Sequence, residues 1–212
     1  MLVQAIRSAI NPDLAHIIEM QGQLQSLLGG SRPPIGEVAA YLDGLDHPCR
    51  VAAIRSLGAG HQKRLFDAAE GFRQTTIDDV VPREQGVRNP VRHYGKNSLP
   101  AFSIFEKRFL RPAEDAQELW GYNFGTTSPI TGPGYFIARN APDRGEVDID
   151  YYSVPPESPL GWPPVKDNEH GLSKLVFGYM VDRLRGVTRQ VSIGRAWKKG
   201  KVQPAWFILC RE

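Results

Sequence analysis

Asp148 and Asp150 stand two residues apart in the alternating run from Glu146 to Tyr152, so a strand there places both carboxylates on one face. Close carboxylates raise one another's pKa, bind a divalent cation, or divide acid and base work. A cation would need further ligands. Asn168, Glu169 and His170 are donors of the right type, but nothing in the sequence puts them beside the pair, and no metal site is assigned. His93 lies in VRHYGKNSLP with Tyr94, Lys96 and Asn97. Histidine is the usual proton shuttle near neutral pH, and lysine or asparagine could polarise an oxyanion. His93 with Asp148 or Asp150 would therefore make a hydrolase- or isomerase-type constellation. A polar linker accounts for the same residues without any reaction. No GxSxG elbow and no local Cys/His motif accompanies them.

A second set of residues suits binding rather than chemistry. Tyr122, Asn123 and Tyr135 flank the glycine-rich stretch GYNFGTTSPITGPGYF and offer polar tips, on flat apolar bodies in the tyrosines. The stretch lacks both glycine patterns of phosphate loops, and no clear helix follows it. Tyr152 and Trp197, with Phe105 and Trp206, extend the list of pocket-lining aromatics. Arg183 or Arg195 could fix an acidic group of the ligand. Each aromatic could equally be core.

From Arg183 to Lys201 there are seven basic residues and no acid. Lys198, Lys199 and Lys201 would form a cationic knob at a hairpin tip, fit to touch phosphate or an acidic surface, with Trp197 and Trp206 available for stacking. A nucleic-acid or protein interaction module is the reading this supports. Lysine guarding an exposed hairpin against strand aggregation explains it too.

The elements that position these groups change character near Pro82. Before it, apolar residues recur at helical spacing: from Asn11-Pro12 to Gly29-Gly30, after Pro33-Pro34, from His47-Pro48 to Gly58, and from about Gly60 to Glu70. The glycine turn in SLGAGHQKRLFDAA invites comparison with a helix-turn-helix, but the segment around it is too acidic for a phosphate-contacting surface. Residues 83–100 hold prolines and glycines without a sustained period, which predicts a linker. Beyond it, short runs predict strands at Ala101 to Arg111, Glu118 to Phe124, Gly134 to Arg139, Glu146 to Ser153, Gln190 to Lys198 and Gln203 to Arg211, the last two joined across Lys199-Gly200. In Glu146 to Tyr152, Val147, Ile149 and Tyr151 take one face. Residues 172–187 fit either a helix or a strand; the helical pattern covers more of them and is preferred.

The expectation is α+β: short N-terminal helices in residues 1–82, a linker over 83–100, and in 101–212 a curved antiparallel β-sheet or partial barrel with one late helix. The net charge of +3 divides into −2 before residue 83 and +5 after it, permitting an anionic partner without demanding one. The longest apolar run, Ala205 to Cys210, is far below the roughly 20 residues of a bilayer span. Cys49 and Cys210 carry no metal or disulfide pattern. A soluble, cytoplasmic protein binding a small, partly apolar ligand in the concavity of its sheet is the leading reading. The sequence identifies no cofactor and no oligomeric state.

Overall fold

The computed structural model describes residues 12–100, 103–125 and 132–212. Helix α1 (Pro12–Leu27) begins at the proline and ends before Gly29-Gly30. Helix α2 (Ile35–Gly44) follows Pro34. Helix α3 (His47–Arg55) starts where the Asp46 carboxylate accepts from the Cys49 amide at 2.8 Å, a side-chain N-cap with proline in the first turn. Helix α4 (Ala59–Ala68) follows Gly58. The last carbonyls of α2 are satisfied by Arg50, which is buried and donates from Nε to Leu42 O at 2.7 Å and from Nη2 to Leu45 O at 2.5 Å.

Eight strands follow: β1 (Val91–Asn97), β2 (Ile104–Leu110), β3 (Glu118–Phe124), β4 (Tyr135–Ala141), β5 (Glu146–Asp150), β6 (Met180–Gly186), β7 (Val191–Lys198) and β8 (Lys201–Arg211). Each pairs antiparallel with its sequence neighbour, and β8 pairs back onto β1 through registers such as Gly95 opposite Leu209. The sheet is thus a closed up-and-down barrel, more than the curved sheet or partial barrel expected. Closure leaves no strand edge unpaired.

Two strands lie where the sequence suggested otherwise. Strand β1 occupies residues assigned to a linker, because two of its three inward positions are His93 and Gly95, which carry no apolar signal. Strand β6 replaces most of the expected helix. Only Gly171–Val176 is helical, as α6; Tyr179 then adopts φ 62° and the chain extends. Asp182 and Gly186 on the inward face of β6 hide its alternation in the same way.

The barrel wall divides two cores. Outside, Val191, Ile193, Trp206, Ile208 and Cys210 from β7 and β8 pack with Leu24, Leu28, Val38, Leu42, Ile54 and Leu65 of α1–α4. Inside, Val91, Phe109, Leu119, Phe136, Val147, Ile149, Leu184, Phe207 and Leu209 meet Ile77, Val80 and Val81, which come from the one-turn helix α5 (Ile77–Val80) and its exit. That turn plugs the end of the barrel where β2, β4 and β6 finish. Arg111 pins it, donating from Nη2 to Asp78 Oδ1 at 2.6 Å and to Val81 O at 3.0 Å. Among the described residues no helix is long and apolar enough to cross a membrane.

Candidate functional site

The opposite end of the barrel is capped by the long connection from β5 to β6, and beneath it lies a buried polar cluster. Lys107 on β2, Asn123 on β3, Tyr151 just after β5 and Asp182 on β6 all point inward. The Lys107 ammonium donates to Asn123 Oδ1 at 2.9 Å, to Asp182 Oδ2 at 3.2 Å and to the Tyr151 hydroxyl. Three donors thus meet three acceptors. Asn123 Nδ2 donates to Gly134 O at 3.0 Å and to Tyr151 Oη at 3.1 Å. The Lys107 and Asp182 side chains are only 3% and 4% exposed, so neither charge is solvated by bulk water.

An aromatic box surrounds the ammonium. Its Nζ lies 4.9 Å from the Phe207 ring centroid, 5.0 Å from those of Phe136 and Tyr151, and 5.8 Å from that of Phe105. Ring faces stabilise a desolvated cation. Above the box, Phe177 lies against Tyr151, with centroids 5.5 Å apart and planes inclined by 12°. Phe177 follows α6, whose Leu172, Leu175 and Val176 are exposed.

The electrostatics of the cluster follow from burial. Desolvation holds the Lys107 ammonium below its ordinary range, and the neighbouring Asp182 carboxylate opposes this. Desolvation raises Asp182, with Lys107 opposing, and pushes the Tyr151 phenol well up, reinforced by the Asp182 charge. Asp182 Oδ1 is buried and has no hydrogen-bond partner among the described residues, as also holds for His93 Nδ1 deeper in the barrel and for Asp148 Oδ1 outside it. A buried carboxylate oxygen left without a donor carries a desolvation cost that a ligand N–H or O–H would relieve.

Deeper in the barrel, His93 makes an edge contact with Phe109 and bonds through Nε2 to Val80 O at 2.9 Å. The carbonyl can only accept, so Nε2 carries the proton. Burial depresses the His93 pKa to about 3, so the imidazole is neutral. Asp148 and Asp150 lie on the outer face of β5, on the far side of the barrel from β1. Arg144 binds Asp148 at 2.7 Å, while Asp150 accepts from the Tyr152 amide and from Ser153. The structure does not bring His93 together with either carboxylate. Asn168 bridges Tyr135 O and Tyr151 O, and His170 bonds Asp167. Among the described residues no three His, Cys, Asp or Glu side chains cluster as a metal site.

The seven expected ligand residues divide by face. Asn123 points inward, into the cluster. Tyr122 and Tyr135 point outward and pack on Trp162, with Tyr135 Oη donating to Pro163 O at 2.5 Å. Tyr152 is exposed and donates to Tyr179 O. Arg183, Arg195 and Trp197 are on the outer wall too, the Arg183 guanidinium 4.4 Å from the Trp197 ring and that of Arg195 4.9 Å from Trp206. At the hairpin tip, Lys198 donates to Leu175 O, Lys199 lies 5.0 Å from the Tyr179 ring and Lys201 is exposed. Residues 126–131 of the glycine-rich stretch lie outside the described residues, as do residues 101–102. Phe105 does face the interior, as a wall of the aromatic box.

Lys107, Tyr151 and Asp182 escaped the sequence reading. Strand alternation was the available signal for Lys107, since Phe105, Lys107 and Phe109 share a face and a charge between two aromatics belongs inside. No protein-family model, curated protein or solved structure matches the chain.

Proposed function

We propose that the protein binds a small, partly apolar molecule inside its barrel, at the cluster of Lys107, Asn123, Tyr151 and Asp182. The carrying observation is Asp182 Oδ1, buried at the end of an aromatic-walled interior without a donor among the described residues. A structural ion pair would gain from having every lone pair satisfied, whereas a binding site keeps an acceptor for its ligand. The chemistry selects a ligand with a hydrogen-bond donor at one end and a flat apolar body that replaces the Phe177 ring against Tyr151. Phe177 belongs to a connection with exposed apolar side chains rather than to the barrel wall, which suits it to yield.

The test is native mass spectrometry of the protein purified from cells, compared with the same sample after denaturation. A small molecule lost on denaturation, and absent from an Asp182→Asn preparation, is the expected result. An unliganded mass for the wild type, together with no thermal shift from a panel of aromatic alcohols and amides, would overturn the proposal. The hydrolase or isomerase alternative loses its geometric basis with His93 inside and both aspartates outside.

A further inference from the structure

Lys107 is one of eight lysines in the chain, and it stands apart from the others. Lys63, Lys199 and Lys201 are exposed, and Lys198 rests on a surface carbonyl. Lys107 is enclosed by four aromatic rings and has a carboxylate and a phenol within hydrogen-bonding distance of its nitrogen. A hydrated ammonium is a poor nucleophile; at Lys107 the ring faces stabilise the cation, but exclusion of water favours the neutral amine and Asp182 stands beside it to take the proton.

Resting on the ligand-binding reading above, we propose that Lys107 forms an imine with a carbonyl ligand, an aromatic or otherwise conjugated aldehyde or ketone. Asp182 Oδ2, 3.2 Å from Nζ, takes a proton from the ammonium and frees the nitrogen lone pair. The lone pair attacks the carbonyl carbon, forming the C–N bond while the C=O π pair moves to oxygen. One of the two nitrogen protons then passes to that oxygen, relayed through the Tyr151 hydroxyl within hydrogen-bonding distance of Nζ, which accepts one proton as it gives up another, and the neutral carbinolamine keeps a nitrogen lone pair. The resulting carbinolamine loses its hydroxyl as water, protonated by the Asp182 carboxylic acid, as the nitrogen lone pair forms C=N. The Asp182 carboxylate regenerated in that step takes the remaining N–H proton, leaving the neutral imine and the carboxylic acid. Amine and carbonyl give imine and water, so no oxidant or reductant is consumed. The ligand's flat group lies against Tyr151, where Phe177 now stacks. Burial lowers the ammonium's pKa and raises the carboxyl's, and both shifts favour the proton transfer that starts the sequence.

The full-length protein is incubated with equimolar benzaldehyde and sodium cyanoborohydride, then intact mass and peptide mapping locate the benzyl groups. The expected result is one adduct, on Lys107, forming about tenfold faster than on any other lysine. Lys107→Arg, which keeps the cation, abolishes it without increasing labelling elsewhere. The seven other lysines of the wild type serve as internal controls, so the result stands even if the variant folds poorly. Labelling spread over exposed lysines with Lys107 unmodified overturns the inference. If benzaldehyde or benzyl alcohol then still raises Tm without reductant, imine formation alone has failed and ligand binding stands. If neither ligand shifts Tm, both proposals fall.

Discussion

Lys107 Nζ and Asp182 Oδ2 sit 3.2 Å apart across the barrel interior, joining strands 75 residues apart in sequence. Removing one partner of such a buried pair strands the other charge. Lys107→Met is expected to cost about 3–5 kcal/mol. The double variant Lys107→Met with Asp182→Asn should regain at least about half of that loss, because no charge is left unpaired. Urea denaturation of the four proteins in the cycle measures the coupling. Additive losses would show that the two side chains do not stabilise one another.

The barrel interior has room for its phenylalanines because glycines face them. A Cβ on Gly121 would come 2.2 Å from the Phe136 ring, and one on Gly194 would come 2.1 Å from that of Phe207. Gly194→Ala should therefore destabilise by about 1–3 kcal/mol through overpacking. Combining it with Phe207→Leu should return part of the loss. A Gly194→Ala protein with unchanged Cm would refute the packing of Phe207 against this strand.

His93 makes stability depend on pH in a stated direction. Its folded pKa, about 3, lies below the ordinary 6.5, so between those values the unfolded chain binds the proton and the folded chain does not. The contribution is fully present above pH 6.5 and is lost as pH falls toward 3, at up to about 1.4 kcal/mol per pH unit. His93→Gln keeps a donor for Val80 O and does not titrate. Its urea midpoint should fall less steeply than that of the wild type between pH 6 and pH 4. Parallel curves for the two proteins would mean that His93 is not the group responsible.

Phe177 occupies the Tyr151 face that a ligand is proposed to take. Phe177→Ala should lower the Kd of benzyl alcohol or benzaldehyde severalfold, since displacing the native ring no longer opposes binding. Calorimetric titration of wild type and variant decides the matter. Weaker binding in the variant would make Phe177 part of the ligand's wall.

Local rules made much of this chain legible. Pro12, Pro34 and Pro48 mark helix starts by proline's own backbone chemistry, while the caps at Asp46 and Gly58 came only with the structure. Val147, Ile149 and Tyr151 share an inward face as alternation requires, and the turn at Lys199-Gly200 is a local event. The outward positions of Tyr122 and Tyr135 were not legible, since an aromatic covered by Trp162 outside and one enclosed within the barrel look alike in sequence.

The sequence by itself determined the helical first third, the antiparallel β-rich remainder and the faces of its most regular strands. Tertiary structure alone decided the closure of the barrel and the make-up of the cluster. Periodicity counts apolar residues, and His93, Gly95, Asp182 and Gly186 face inward without being apolar. They are tolerated there because glycine makes room for rings, and because His93 and Asp182 find buried hydrogen-bonding partners. Val80 reaches His93 from the turn that plugs the barrel and Lys107 reaches Asp182 from a strand 75 residues away, and the barrel that holds both closes when β8 pairs with β1, a contact between residues more than a hundred positions apart.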